Sequence, residues 1–98
     1  LLTSFYMSRD QGPQAWPVSA LQELSEAQLL MLKALSPEVI LIGTGERHQF
    51  PTAVQMAIMA THQITCEFMN TNAACRTYNL LANDYRQVVL AVIAPSNS

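Results

Sequence analysis

The sequence has 98 residues, of which 50% are hydrophobic and 12% are charged, and its formal net charge is -2. This length accommodates one domain over residues 1–98, and the composition excludes an intrinsically disordered chain, which needs low hydrophobicity and a large net charge. Five lysines and arginines, spread singly, give no basic surface for nucleic acid, and no apolar run approaches the roughly 20 residues that cross a bilayer, so we expect neither a nucleic-acid partner nor a membrane span.

The N-terminal part is predicted to hold a strand followed by a loop. Residues 1–7 form a short apolar run that is typical of a strand. Residues 8–17 contain one glycine and two prolines and are interpreted as a loop, within which Trp16 plugs the edge of the core. Because the chain begins at Leu1 without a methionine, we expect that its start is missing.

Two helices are predicted in the middle of the chain. The first begins at Ser25, because Ser25-x-x-Gln28 matches a capping box and spaced leucines follow it, and Pro37 ends it. Pro51 suits the first turn of a second helix over residues 51–62. The apolar positions that this second helix turns towards the core are expected to be Val54, Ile58 and Met59.

Strands alternate with these helices. Residues 39–42 are an uninterrupted apolar run that stops at Gly43, which is typical of a strand buried on both faces. The remaining elements are predicted as a strand over 64–69, a third helix over 72–84 capped by Thr71, a buried strand over 88–93 that Pro95 ends, and a frayed tail over 96–98. This alternation predicts an α/β domain with a largely parallel sheet covered by helices.

A glycine turn directly follows the first buried strand. Gly43-Thr44-Gly45 lies where ligands bind in open α/β sheets, beyond the carboxyl ends of the strands. The turn has two interpretations, a plain tight turn or a loop whose backbone amides approach a phosphate. A dinucleotide fingerprint is not matched, because His48 stands where its third glycine belongs.

Polar residues cluster where the third helix begins. Thr71 and Asn72 frame a helix start, where unpaired backbone donors favour an anion, and Cys75 and Arg76 follow within the next turn. One interpretation is a small anion or acyl site in which the helix dipole and Arg76 activate the thiol of Cys75. The other is that Cys75 packs as a small hydrophobic residue.

Glu67 stands in an otherwise apolar strand and has two interpretations. It forms a structural ion pair with Arg76, or it is a general base with a raised pKa. No catalytic residue is assigned. We expect no metal site and no cofactor, because His48 and His62 are 14 residues apart and have no ligand-like spacing with the cysteines.

Several of these segments together resemble a known family. Residues 39–45, Phe50-Pro51 and the segment over 67–79, with its Ala-Ala-Cys-Arg-Thr-Tyr-Asn string, resemble a family of small α/β domains of unknown function that takes its fold name from an archaeal protein. The family includes the mitochondrial complex I assembly factor 3, and the resemblance runs from about Trp16 to Ile93. It implies a three-layer α/β/α domain with a mixed central sheet and no established catalytic activity.

The resemblance implies a non-enzymatic interaction domain with an assembly-factor-like role. Its unknown protein partners are then those of respiratory-complex assembly. The alternative is a small-molecule or anion-binding protein, or an enzyme, with its site at the strand ends near Gly43, Thr71 and Cys75. A bacterial chain is expected in the cytoplasm, since two cysteines suit a reducing compartment, and a eukaryotic one in the mitochondrion.

The sequence departs from the family pattern in three places. Asn70 stands where an aspartate is usual, which removes an acid from that position. Tyr85 replaces the usual glycine before Arg86, so that we expect a different turn there. Members also begin with a strand-rich segment of a few tens of residues, which we expect is missing before Leu1.

Overall fold

A mixed sheet of five strands lies at the centre of the fold, in the order β2-β1-β5-β3-β4. The computed structural model describes residues 4–84 and 87–94. The predicted alternation of strands and helices is confirmed. The elements in chain order are β1 (Phe5–Ser8), β2 (Gln14–Ala15), a short 3-10 helix (Leu21–Glu23), α1 (Glu26–Lys33), β3 (Val39–Gly43), α2 (Ala53–Thr61), β4 (Cys66–Met69), α3 (Thr71–Asn83) and β5 (Val88–Val92).

Strand β3 is the middle of a parallel ladder. It pairs in parallel with β4 on one side and with β5 on the other. Strand β1 runs antiparallel to β5 and to β2, so the parallel part of the sheet comprises three of its five strands. The predicted mixed sheet is confirmed, and the carboxyl ends of β3 and β5 meet at one edge of it.

A short hairpin replaces part of the predicted N-terminal loop. The sequence predicts a loop over residues 8–17, but Gln14–Ala15 forms β2 and pairs with β1. Two backbone hydrogen bonds of 3.1 and 3.3 Å between Ser8 and Gln11 close the connecting turn. A strand of two residues is too short to leave a period of two in the sequence, so only its pairing defines it.

The sheet is covered by helices on both faces, which confirms the three-layer fold. Ile40 and Ile42 of β3 pack on the side of α1 and α2, together with Trp16, whereas Leu41 packs on the side of α3. All five residues of β5 are buried, again divided between the two faces. The expected burial of both apolar runs is therefore confirmed, and Trp16, only 3% exposed, closes the core as predicted.

Each α-helix begins at a side-chain cap. At α1 the partner of Gln28 differs from the prediction, and at α2 the first residue differs. Ser25 caps α1 by accepting a hydrogen bond from the backbone N–H of Gln28, as predicted, but the side chain of Gln28 accepts instead from Nε1 of Trp16, at 2.9 Å. Helix α2 begins after Thr52 rather than at Pro51, because Thr52 and Gln55 form the reciprocal capping box.

The side of α2 that faces the core also differs from the prediction. Val54 is expected to face the core but is 70% exposed, whereas the polar Gln55 is buried together with Met59. Apart from Gln55 and the terminal Thr61 every residue of the helix is apolar, so its hydrophobic pattern does not select one face. The buried face is selected by the hydrogen bonds of Gln55 to Leu21 and Leu24.

Some sequence predictions fall at the chain ends and in one turn. Those for residues 1–3, the turn at Tyr85 and Arg86, Pro95 and the tail over 96–98 lie outside the described residues. Helix α1 ends at Lys33, ahead of the predicted stop at Pro37. Within the described part of the chain, no helix is long and apolar enough to span a bilayer.

Candidate functional site

A cleft of about 1050 Å³ opens at the edge of the sheet where β3 and β5 end, beside the start of α3. Its apolar side includes Phe5 of β1 and the end of β5 at Val92. Six of the eight residues predicted for a ligand site line this cleft, because their elements end or begin at the same edge. They are Thr44, Gly45, Thr71, Asn72, Cys75 and Arg76.

Gly43 and Glu67 are the two predicted residues that do not line the cleft. Gly43 is buried beneath the start of α3, where an added Cβ would lie 3.1 Å from Oγ1 and 3.2 Å from Cα of Thr71. The missing side chain therefore lets α3 approach the end of β3 closely. Glu67 lies on β4 at the far side of β3, and its side chain is exposed.

The glycine turn is tied to the start of α3 by its own hydrogen bonds. The backbone N–H of Gly45 donates to Oγ1 of Thr71 at 2.9 Å, and the N–H of Thr71 donates to the carbonyl of Gly45 at 2.8 Å. The N–H of Thr44 donates to the carbonyl of Met69 at 2.9 Å. Two amides that a phosphate loop would present are thus already occupied, which favours the tight-turn interpretation.

Thr44 holds the loop that follows the turn. Its side chain is buried, and Oγ1 donates to the carbonyl of Arg47 at 2.6 Å while accepting from the N–H of Gln49 at 3.2 Å. The amide of the Gln49 side chain donates back to the carbonyl of Thr44 at 3.2 Å. Arg47 and Gln49 are thereby placed on the wall of the cleft, although their loop carries no sequence motif that would predict this.

The cap of α3 is Asn70 rather than the predicted Thr71. Oδ1 of Asn70 accepts from the backbone N–H of Ala73 at 2.8 Å, which leaves the hydroxyl of Thr71 available to Gly45. Asparagine is among the best N-cap residues, so the role of Asn70 in this chain is to cap α3, which needs no acid. The sequence signal for this role is Asn70 itself, a good N-cap residue that directly precedes Thr71.

The charged groups of the cleft are two arginines and one glutamate. Arg47 and Arg76 are exposed at the rim, Glu46 precedes Arg47 in its loop, and Cys75 of α3 is partly buried. The predicted ion pair between Glu67 and Arg76 is not formed. Both described side chains are exposed, and they make no ion pair with each other. An apolar wall with two guanidinium groups at its rim suits an anion that also carries an apolar part.

No described group of three or more His, Cys, Asp or Glu side chains converges as a metal site would require. His62 instead makes an ion pair with Glu26 at 2.7 Å, which links α2 to α1. Lys33 of α1 donates to the carbonyl of His62 as well. The ring of His48 lies against that of Phe50 in a tilted arrangement, with the ring centroids 4.4 Å apart and an interplanar angle of 45°. Both histidines therefore make contacts within the fold, and that of His62 joins α1 to α2.

The thiol of Cys66 is expected to be inert near neutral pH. Burial raises its pKa to about 12, with a smaller contribution from the charge of Glu67, so the thiolate fraction at pH 8 is roughly one in ten thousand. A thiol reagent at pH 8 should label the folded chain once, at Cys75, and a second time only after unfolding. The Cys75→Ser variant should stay unlabelled while folded; rapid labelling of this variant would contradict the burial of Cys66.

A second surface stands out on the opposite face of the sheet. We call it the α2 face: the exposed apolar residues Phe50, Ala53, Val54, Met56, Ala57 and Ala60. Phe50, Val54 and Met56 are 75%, 70% and 51% exposed, and α2 contains no charged residue. A helix without charged residues and with so few polar ones is normally buried, and this sequence signal could have identified the surface.

Comparison with known proteins gives the chain its relatives. A family model described as "Protein of unknown function (DUF498/DUF598)" matches residues 3–93. The "13 kDa major membrane protein" of Francisella tularensis is 36% identical over 76 residues, which are 78% of this chain and 62% of that protein. The complex I assembly factor 3 of Drosophila melanogaster is 31% identical over 85 residues, 83% of this chain and 43% of that protein.

A solved structure matches along the whole chain. The solution structure of a Xanthomonas campestris protein is 43% identical to the chain and superimposes with a TM-score of 0.87, covering 100% of this chain and 74% of that one. The chain thus spans less than two thirds of the two curated relatives, and three quarters of this structural one. The resemblance inferred from the sequence is confirmed by the family model and by the assembly factor.

Proposed function

The chain belongs to the DUF498/DUF598 family of proteins of unknown function, and we propose that it is a non-enzymatic protein-binding domain with an assembly-factor-like role. The Drosophila relative is named as an assembly factor of NADH dehydrogenase, which supports a role in building a protein complex. We propose subunits of respiratory complex I, or other factors that assemble it, as the partners. In a bacterium we place this activity at the cytoplasm; the Francisella relative's name leaves a membrane-associated site as the competing location.

The observation that carries this proposal is the α2 face. Contiguous exposed apolar surface on a small domain marks a protein-binding site, because leaving it in water costs about 25 cal/mol for each Å². Of the five large hydrophobic side chains that are exposed among the described residues, three belong to this face. A fourth, Leu30, lies on α1 between Glu26 and Lys33, both of which contact His62 at the end of α2.

Capture of partners from cells of the source organism tests the proposal. The tagged chain is expected to retain complex I subunits or assembly factors, identified by mass spectrometry, and Val54→Glu is expected to reduce their recovery at least tenfold. Leu80→Glu is the matched control, because Leu80 of α3 is also 70% exposed but lies on the other face of the sheet. Equal recovery with both variants would contradict binding through α2.

The cleft supports the alternative function, a small-molecule or anion site. The observation in its favour is the combination of Arg47 and Arg76 at the rim with the apolar side at Val92. Against it, the amides of Thr44 and Gly45 are already hydrogen bonded within the fold. Titration of the isotope-labelled chain with inorganic phosphate and with a medium-chain fatty acid, followed by NMR, distinguishes a ligand site from a cleft that binds neither. Saturable shifts of the amide signals of Asn72 and Cys75 would favour a ligand site.

A further inference from the structure

The shape of the α2 face is complementary to a second copy of itself. Successive residues of a helix are 100° apart, so Ala53, Ala57 and Ala60 run along the middle of its exposed side, with Val54 on one edge and Met56 on the other. Small residues along the middle let another helix approach closely, and the larger side chains at the edges fill the space beside it.

An antiparallel crossing centred on Ala57 satisfies a two-fold axis. Counting outward from Ala57, the exposed Val54 of one copy lies opposite the small Ala60 of the other, and the same contact occurs again on the opposite side of the axis. A self-complementary patch of this kind is what an isologous dimer requires. The side chains of Phe50 then lie at the two outer ends of the contact.

The electrostatics of α2 agree with this arrangement. The helix has no charged residue between Ala53 and Thr61, so no like charges are brought together when two copies meet. Antiparallel packing also places the positive end of each helix dipole beside the negative end of the other, which is favourable. A partner with a strongly charged surface would gain nothing from this face, whereas a second uncharged α2 loses no solvated charge.

The surface available is enough for a reversible dimer. Phe50, Val54 and Met56 are 75%, 70% and 51% exposed and three exposed alanines lie between them, so a pair that covers both faces buries on the order of 1,000 Å² in total. This is the low end for specific interfaces and is typical of transient ones. Buried area does not by itself set affinity, so the dissociation constant is the quantity that the sedimentation experiment below measures.

We propose that the chain forms a two-fold dimer by antiparallel packing of α2 against α2 of a second copy. This rests on the proposed function in so far as both use the α2 face, and the occupant is here a second copy. A complex I partner then competes with the dimer for the same surface. At concentrations above its dissociation constant the free chain is then a dimer, which keeps the apolar face out of water until a partner is bound.

Sedimentation equilibrium of the purified chain from about 5 to about 500 µM tests the dimer. The mass is expected to rise from that of a monomer towards twice that value, Val54→Glu is expected to remain a monomer, and Leu80→Glu is expected to dimerise as the unaltered chain does. A monomer over the whole range, or equal weakening by both variants, would overturn the proposal. If the chain is a monomer that still captures complex I subunits, the dimer is wrong and the proposed function stands. If it is a dimer that captures none, the dimer stands and the proposed function is wrong.

Disulfide trapping tests the two-fold geometry separately. With Cys75→Ser as the common background, Ala57→Cys is expected to form an intermolecular disulfide at least tenfold faster than Leu80→Cys under the same mild oxidation, because position 57 lies on the axis and meets itself. Disulfide formation at equal rates would overturn the proposed axis even if a dimer were observed.

Discussion

Replacement of Gln55 by leucine is expected to lower the free energy of unfolding by about 3 kcal/mol, although it puts a hydrophobic side chain into a buried position. The Nε2 amide of Gln55 donates to the carbonyls of Leu21 and Leu24, at 2.8 and 3.1 Å, and Oε1 accepts from the backbone N–H of Thr52, at 2.9 Å. Leucine keeps the volume but leaves these three backbone groups without that partner. Urea unfolding followed by circular dichroism measures the loss.

Two further variants separate hydrogen bonding from packing at this position. Gln55→Glu keeps the shape but turns carboxylate oxygen towards two carbonyls, so its stability is expected to fall as the pH rises above about 4.3, where the unfolded chain ionises freely. Gln22→Leu, at an exposed position of the 3-10 helix, is the control and should change stability by less than about 0.5 kcal/mol. A Gln55→Leu chain as stable as the unaltered one would contradict the network.

Gly43→Val is the second replacement with a large expected effect, a loss of about 3 kcal/mol. Even a single Cβ at Gly43 lies 3.1 Å from Oγ1 and 3.2 Å from Cα of Thr71, and the second of these atoms is backbone at the start of α3. The helix must therefore move away from β3, which also breaks the paired hydrogen bonds between Gly45 and Thr71. Thermal unfolding measures the change.

The control for Gly43 is a glycine with open space around it. Nothing lies within 4 Å of a Cβ added at Gly12, which is in the turn between β1 and β2, so Gly12→Val should change stability by less than about 0.5 kcal/mol. Amide hydrogen exchange adds a local readout, because Gly43→Val should speed exchange at Gly45 and Thr71 before it affects α1. Similar losses for both glycine variants would contradict the close packing of α3 on β3.

The central strands could be predicted because their signal is local and strong. Residues 39–42 and 88–93 are uninterrupted apolar runs, and such runs need no knowledge of the neighbours to indicate burial on both faces. The order of elements followed from their alternation. The two-residue strand β2 could not be predicted, because its existence depends on pairing with β1 rather than on its own residues.

The errors at the helices have a common physical cause. The periodicity of α2 does not distinguish its faces, and only the carbonyls of Leu21 and Leu24 select Gln55 as the buried residue. At α3, Asn70 and Thr71 are both good caps, and the choice between them depends on Gly45, which is remote in sequence. The buried face of α2 and the cap of α3 are therefore set by hydrogen bonds between segments that are distant in sequence, which local patterns do not predict.

The sequence predicts those residues of the candidate site that the order of strands and helices alone brings together. Thr44 and Thr71 come together because one follows a parallel strand and the other begins the helix beside it. The contribution of Arg47 was missed, because its position follows from the hydrogen bonds of Thr44 within an irregular loop. The α2 face is not among the predictions, because the apolar residues of α2 lie on several sides and their pattern does not show which side stays exposed.

The most direct test of the central claim, that this domain acts through α2 and not through the cleft, compares two variants in one capture experiment. Val54→Glu alters the α2 face, whereas Arg76→Ala removes a cation from the rim of the cleft on the other side of the sheet. We expect Val54→Glu to lose the complex I subunits and Arg76→Ala to retain them. Retention by Val54→Glu together with loss by Arg76→Ala would contradict the claim and assign the function to the cleft.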